Sequence, residues 1–133
     1  MEFSEISWLG VVLAGIAFFG VGAMWYGALF ARPWMRLSGV TEEQARSSNL
    51  VLIFGTTAVL GLVAAVGLAA IIGPDSSAGE GLGIGAAVGL VLVAPVLGIQ
   101  SLYDRKKVAL WALNAGYNLA GFTVMGLVIG ALQ

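Results

Sequence analysis

The sequence contains no cysteine and no histidine. Their absence excludes disulfides, thiolate and imidazole metal sites, cysteine nucleophiles, histidine acid–base chemistry and histidine ligation of haem. Charge is scarce as well. Asp, Glu, Lys and Arg make up 10% of the 133 residues, against about 25% in an ordinary soluble domain. So small a charged fraction does not cover a water-facing surface. The net charge is −1 and no basic run exceeds three residues, which argues against nucleic acid as a partner. All thirteen formal charges fall in four short stretches, within residues 2–5, 32–46, 75–80 and 104–107.

Between those stretches lie charge-free spans at 6–31, 47–74, 81–103 and 108–133. They are 26, 28, 23 and 26 residues long, and a membrane helix needs about 20 apolar residues. The expected fold is an all-α membrane protein, a four-transmembrane-helix bundle forming one domain over 1–133. The N-terminus is acidic and the first apolar span is longer than the h-region of a signal peptide, so it is expected to be a retained helix. No lipidation motif is visible, since these need Cys or an N-terminal Gly after Met. The lipid bilayer is then the first partner, and a cytoplasmic membrane the expected location.

Local signals place the helices at about 8–31, 49–72, 82–103 and 108–132. Ser38-Gly39 marks a break in the first connector. Thr41-Glu42-Glu43-Gln44 has capping-box spacing, which predicts a short connector helix over about 42–48. No Pro or Gly follows before Gly55, so that helix is expected to be able to continue into the second span. Gly73-Pro74-Asp75 stops the second span, and Pro74 to Gly81 reads as a polar turn. Pro95 should kink the third helix and free the carbonyl of Val91. Only Asp104-Arg105-Lys106-Lys107 joins helices three and four, which predicts a tight antiparallel hairpin.

All six basic residues belong to the first and third connectors: Arg32, Arg36, Arg46, Arg105, Lys106 and Lys107. The positive-inside rule therefore puts loops 32–48 and 104–107 in the cytoplasm and both termini outside. So strong a bias argues against dual topology. Trp25 and Trp34 beside Arg32, and Trp111 beside Arg105, Lys106 and Lys107, read as anchors at the headgroup level.

Glycine is abundant, at 20 residues. Helices in lipid gain little from the hydrophobic effect, so close backbone approach has to substitute. Gly81, Gly85 and Gly89 form a double GxxxG on helix three. Helix four carries Ala112, Gly116, Gly126 and Gly130 on one broad face, and helix one has Gly20, Ala23 and Gly27. The simplest reading is helix packing; a homo-oligomer seam or hinge is the other.

On the other face of helix four stand Asn114, Asn118, Gly121 and Met125, so this helix needs partners on two sides. Unpaired amides do not face lipid comfortably. Thr56, Thr57, Gln100, Ser101, Tyr117 and Tyr26 fall at similar depth, in the cytoplasmic half. Two readings follow. One is a small-molecule or ion site opening to the cytoplasm. The other is a set of interhelical hydrogen bonds, which suits neutral Asn. No carboxylate lies inside a span, which disfavours proton coupling. Asp104 reads as a solvated loop charge. No base stands near any Ser, Thr or Tyr, so neither catalysis nor a cofactor is expected.

Two blocks carry a resemblance. The first is Val21-Gly22-Ala23-Met24-Trp25-Tyr26, then Leu29-Phe30, then Trp34-Met35-Arg36-Leu37-Ser38-Gly39-Val40-Thr41-Glu42-Glu43. The second is Leu113-Asn114-Ala115-Gly116-Tyr117. With Gly79-Glu80-Gly81-Leu82 and Met125-Gly126, they make nearly the whole chain resemble the bacterial membrane family called domain of unknown function 1761. The resemblance implies a small four-helix membrane protein of no assigned biochemical activity. It draws attention to Trp25, Tyr26, Asn114 and Tyr117. Members often have Pro soon after the Trp-Tyr pair, where this chain has Gly27-Ala28, and His after Asn-Ala-Gly-Tyr, where it has Asn118. Any metal or proton handling by that histidine would be absent here.

The leading functional expectation is a channel- or transporter-like or small-solute-binding protein, homo-oligomeric, with Asn114, Asn118, Gln100, Thr56, Tyr26 and Tyr117 at a cytoplasm-facing polar pocket. The alternative is a non-catalytic accessory protein that packs against other membrane helices through its glycine faces.

Overall fold

The computed structural model describes residues 3–133; Met1 and Glu2, which open the acidic N-terminal stretch, lie outside the described residues. Among the described residues there are helices and no strands. In chain order they are α1 (Trp8–Leu29), α2 (Ala31–Ser38), α3 (Glu42–Ser47), α4 (Leu50–Ile72), α5 (Ala78–Tyr103) and α6 (Val108–Leu132). Four of them, α1, α4, α5 and α6, are long and apolar enough to cross a membrane.

Short polar residues begin most of these helices. Ser7 Oγ accepts from the Gly10 amide at 3.2 Å, starting α1. Thr41 and Gln44 cap α3 reciprocally, at 3.1 and 3.0 Å. The connector helix does not continue into α4. Ser48 is extended, its hydroxyl turned back to the Gln44 carbonyl at 2.8 Å, and Asn49 caps α4 through the Leu52 amide at 3.1 Å. Two consecutive side chains that bond the backbone outcompete helical continuation there. A second capping box, Ser77 with Glu80, starts α5 at Ala78, so four residues expected in the polar turn are helical. Similarly, Arg32 to Ser38 is not loop. Phe30 breaks α1, and α2 starts at Ala31 with Pro33 in its first turn, where a missing N–H costs nothing. Gly39, at φ 80°, ends α2 in the left-handed conformation.

Two turns are π-helical. Met24–Leu29 closes α1 with a Phe30 N–H bond to the Trp25 carbonyl at 2.8 Å. Val88–Val93 interrupts α5, and the Ala94 N–H bonds the Gly89 carbonyl. The irregularity expected at Pro95 takes this form. Pro95 has no N–H and its ring crowds the carbonyl of Val91, and the wider turn before it absorbs the mismatch.

The long helix α6 is the centre of the bundle, with α5 on one face and α1 on another. Both contacts are antiparallel: Gly81 meets Gly130 while Gly89 meets Leu119, and Gly10 meets Leu132 while Gly22 meets Tyr117. Helix α4 leans mainly on α1. Packing is tightest at the end where Ile6, Ser7 and Gln133 lie. Ile6, Val11, Ala14, Leu68, Met125 and Ile129 form the core there. The Gln133 side chain closes that end, accepting from the Ser7 amide at 3.4 Å and donating to the Gly73 carbonyl. At the other end α4 keeps one aromatic contact with α1, Phe54 edge-on to Phe19 with centroids 5.8 Å apart, and every residue from 50 to 60 is exposed, Val51 at 85%. All six basic residues also belong to that open end.

Candidate functional site

The α1–α6 seam at the open end joins rings to glycines. The π turn carries Trp25 and Tyr26. Tyr26 Oη donates to Asn114 Oδ1 at 2.7 Å, and Trp25 Nε1 donates to the Leu113 carbonyl at 3.1 Å. Tyr117 Oη reaches the Phe18 carbonyl at 3.3 Å. The rings of Trp34, Tyr26, Tyr117, Phe18 and Phe122 form a column, with successive centroids 6.1, 5.2, 5.0 and 5.6 Å apart. Tilted and edge-on pairs at such spacing each contribute about 0.5–1.5 kcal/mol beyond burial. Glycines make the room. A Cβ on Gly22 would lie 3.1 Å from Tyr117 Oη, and one on Gly116 or Gly121 would strike the ring of Trp25 at 2.9 Å or of Phe18 at 2.6 Å.

The α5–α6 seam is of another kind, with backbone against backbone. A Cβ on Gly81 would run into the Gly126 carbonyl, and one on Gly85 into that of Phe122. Added at Gly89, it would lie 3.0 Å from Leu119 Cα and 3.2 Å from the Asn118 carbonyl. On α6, Gly126 and Gly130 meet this seam, whereas Gly116 meets Trp25 of α1. The glycines of helix four are thus divided between two partners.

Of the polar residues named from the sequence, Tyr26, Asn114, Tyr117 and Asn118 come together. Asn118 Nδ2 bonds back to the Asn114 carbonyl at 2.9 Å. Gln100 joins Asn114 elsewhere, in a cleft of about 220 Å³ at the α5–α6 turn that Ser101, Asp104, Lys106 and Trp111 also line. Thr56 is not brought to either group; it lies on the exposed first half of α4. The neighbouring Thr57 spends its hydroxyl on the Ile53 carbonyl of its own helix, at 2.7 Å.

The turn that carries the cleft has a defined geometry. Arg105 is left-handed at φ 55°, its N–H bonds the Leu102 carbonyl at 3.2 Å, and the Lys106 N–H bonds the Ser101 carbonyl at 2.9 Å. This is a Schellman ending with Arg where Gly is usual. It carries the chain from α5 into α6 in four residues.

Sequence reasoning missed two indole roles. Trp25 and Trp111 both donate to the backbone of a neighbouring helix, Trp111 to the Ala94 carbonyl at 2.9 Å. Gly98 makes that approach possible, since its Cβ would lie 3.1 Å from Trp111 Nε1. Nothing in local spacing pairs a glycine with a particular ring across a turn. Among the described residues, no buried side-chain polar atom lacks a partner, and no group of acidic residues could hold a metal ion.

The sequence matches the family described as protein of unknown function (DUF1761) over residues 9–130, and the chain belongs to that family. No curated protein and no solved structure matches it.

Proposed function

We propose that the chain is an integral membrane protein that binds a small polar solute in a blind pocket at its basic end. The cleft at the α5–α6 turn carries this reading. It joins Gln100, Ser101 and Asn114 with one anion, Asp104, and one cation, Lys106, in about 220 Å³. Asn114 Nδ2 has no acceptor among the described residues, so the amide that fixes Tyr26 through its oxygen keeps its donors for a ligand. At that volume the ligand is smaller than a drug-sized molecule, for which pockets begin at about 300 Å³.

Four long apolar helices and the exposed apolar flanks of α4 and α5 support the membrane setting. The basic residues at one end support an orientation with that end in the cytoplasm and both termini outside. Past Asn114 the α5–α6 seam closes glycine against backbone, which supports binding rather than passage through one protomer.

Water access tests the reading. The chain has no native cysteine, so Asn114→Cys and Asn118→Cys are unique thiols. In sealed vesicles, a membrane-impermeant thiol reagent should label the first from the basic side and leave the second unlabelled from either side. Failure to label at 114 would overturn the pocket, and labelling at 118 from both sides would replace it with a conduit.

A second reading has its own observation. Between α1 and the exposed half of α4 lies an apolar groove of about 540 Å³ whose floor includes Gly15, Gly55 and Ala58. Small residues there would admit another transmembrane helix, in a homo-oligomer or another membrane protein, and favour an accessory role. Crosslinking of Gly55→Cys between copies, or to another membrane protein, in intact membranes would support it.

A further inference from the structure

Two cavities adjoin at the α5–α6 turn. The polar cleft is one. The other is an apolar groove of about 370 Å³ along α5, lined by Pro95, Gly98, Ile99, Leu102 and Val108. Ser101, Lys106 and Trp111 line both. From Leu102 to Pro95 the groove follows two helical turns, on the order of 10 Å, towards the middle of the helix. A compact polar chamber opening beside a long apolar one is the shape of an amphiphile.

The charges narrow its chemistry. Asp104 and Lys106 both face the cleft, and among the described residues neither belongs to an ion pair. The Schellman turn holds them either side of Arg105, at the meeting of two helix ends of opposite polarity. Helix α6 starts at Val108, its N-cap residue Lys107 makes no side-chain cap, and the amides of Val108 and Ala109 have no acceptor among the described residues. That end, beside Lys106, favours an anion. The last carbonyls of α5, beside Asp104, favour a cation. A wholly anionic headgroup would meet Asp104 as a like charge. A quaternary ammonium has no N–H to donate to it.

We infer that the two cavities together form a phospholipid site, and that its occupant carries a phosphate and a primary ammonium, as phosphatidylethanolamine does. The phosphate sits at Lys106 and the start of α6. The ammonium sits at Asp104 and the Gln100 side-chain oxygen. One acyl chain follows the groove past Ile99 to Pro95, with the Trp111 ring as the wall between tail and headgroup. The inference rests on the membrane-embedded cleft above and goes beyond that reading: the polar group the cleft takes is a lipid headgroup and not a free solute.

Competition resolved by native mass spectrometry tests it. The full chain in mild detergent receives phosphatidylethanolamine, phosphatidylglycerol and phosphatidylcholine with identical acyl chains. Phosphatidylethanolamine should be retained over each of the others by about tenfold, the weight of one charge-assisted contact. Asp104→Asn should reduce that preference to within about twofold, and Lys106→Gln should lower retention of all three lipids alike, with helical content and melting unchanged. Equal retention of the three lipids, a preference untouched by Asp104→Asn, or retention untouched by Lys106→Gln would overturn the assignment. Ile99→Trp fills the groove without altering a charge and should also abolish retention. Full retention in that variant, or displacement of the lipid by an equal concentration of soluble phosphoethanolamine, would remove the tail from the site. The two readings fail separately. If Asn114→Cys in lipid-free detergent is not labelled, the pocket itself falls; if it is labelled and no lipid is preferred, only the lipid assignment falls.

Discussion

The phenol of Tyr26 donates to the side-chain oxygen of Asn114 across 2.7 Å, and this bond joins the π turn of α1 to the open end of α6. The wider turn gives the ring its position, and the Tyr117 ring 5.2 Å away braces it. Asn114 is thereby both a helix-to-helix contact and a wall of the cleft.

Removing either partner should cost little more than one hydrogen bond. Tyr26→Phe and Asn114→Leu are each expected to lower unfolding stability in bicelles by about 1 kcal/mol, with a coupling of similar size in the double variant, as for polar pairs between membrane helices. A coupling near zero would mean that the two groups act independently. Tyr26→Phe should leave Asn114→Cys-type labelling at the cleft in place, because the phenol does not line it.

Glycines with no space should respond differently from glycines in the open. A Cβ at Gly85 runs into the Phe122 carbonyl, which cannot swing aside, whereas Gly67 has nothing within 4 Å. Gly85→Ala should destabilise by about 1–3 kcal/mol, as overpacking does. Gly67→Ala should be neutral or stabilise by up to about 1 kcal/mol through helix propensity. Equal melting temperatures for the two variants would dissociate Gly85 from the α5–α6 contact.

Arg105 occupies a backbone conformation that Gly adopts without penalty. Arg105→Gly should therefore stabilise the hairpin by about 1 kcal/mol, and Arg105→Val should destabilise it by about as much or more. Thermal unfolding of the two variants against the parent chain reads both signs. Opposite signs would show that Arg105 is not left-handed in the membrane.

A reporter fused after Gln133 should be active only when it functions outside the cytoplasm. The reason is the six basic residues at the opposite end. Activity of a cytoplasm-only reporter at the same position would reverse the orientation and move the cleft to the outer face.

Much of the architecture is legible in the sequence. Four charge-free runs give four apolar helices long enough to span a membrane, because length and hydropathy are properties of a segment alone. Caps are equally local: Thr41 with Gln44 reads directly, and Ser77 with Glu80 carries the same spacing although the turn around it suggested loop. The break at Ser48-Asn49 was harder, because two backbone-bonding side chains outweighed the absence of Pro and Gly.

The sequence by itself determined the four long apolar helices, where the charges sit and that α6 needs partners on two sides. Tertiary structure alone decided who meets whom. Whether a glycine faces backbone, as Gly85 does, or an aromatic ring, as Gly116 and Gly121 do, depends on how three helices cross. The same holds for Thr56, left on an exposed face, and for Gln100, which shares a cleft with Asn114. Periodicity fixes the direction of a side chain about its own helix axis. It carries no information on the rotation and lean of the neighbour, and those two quantities set which polar groups share a cavity.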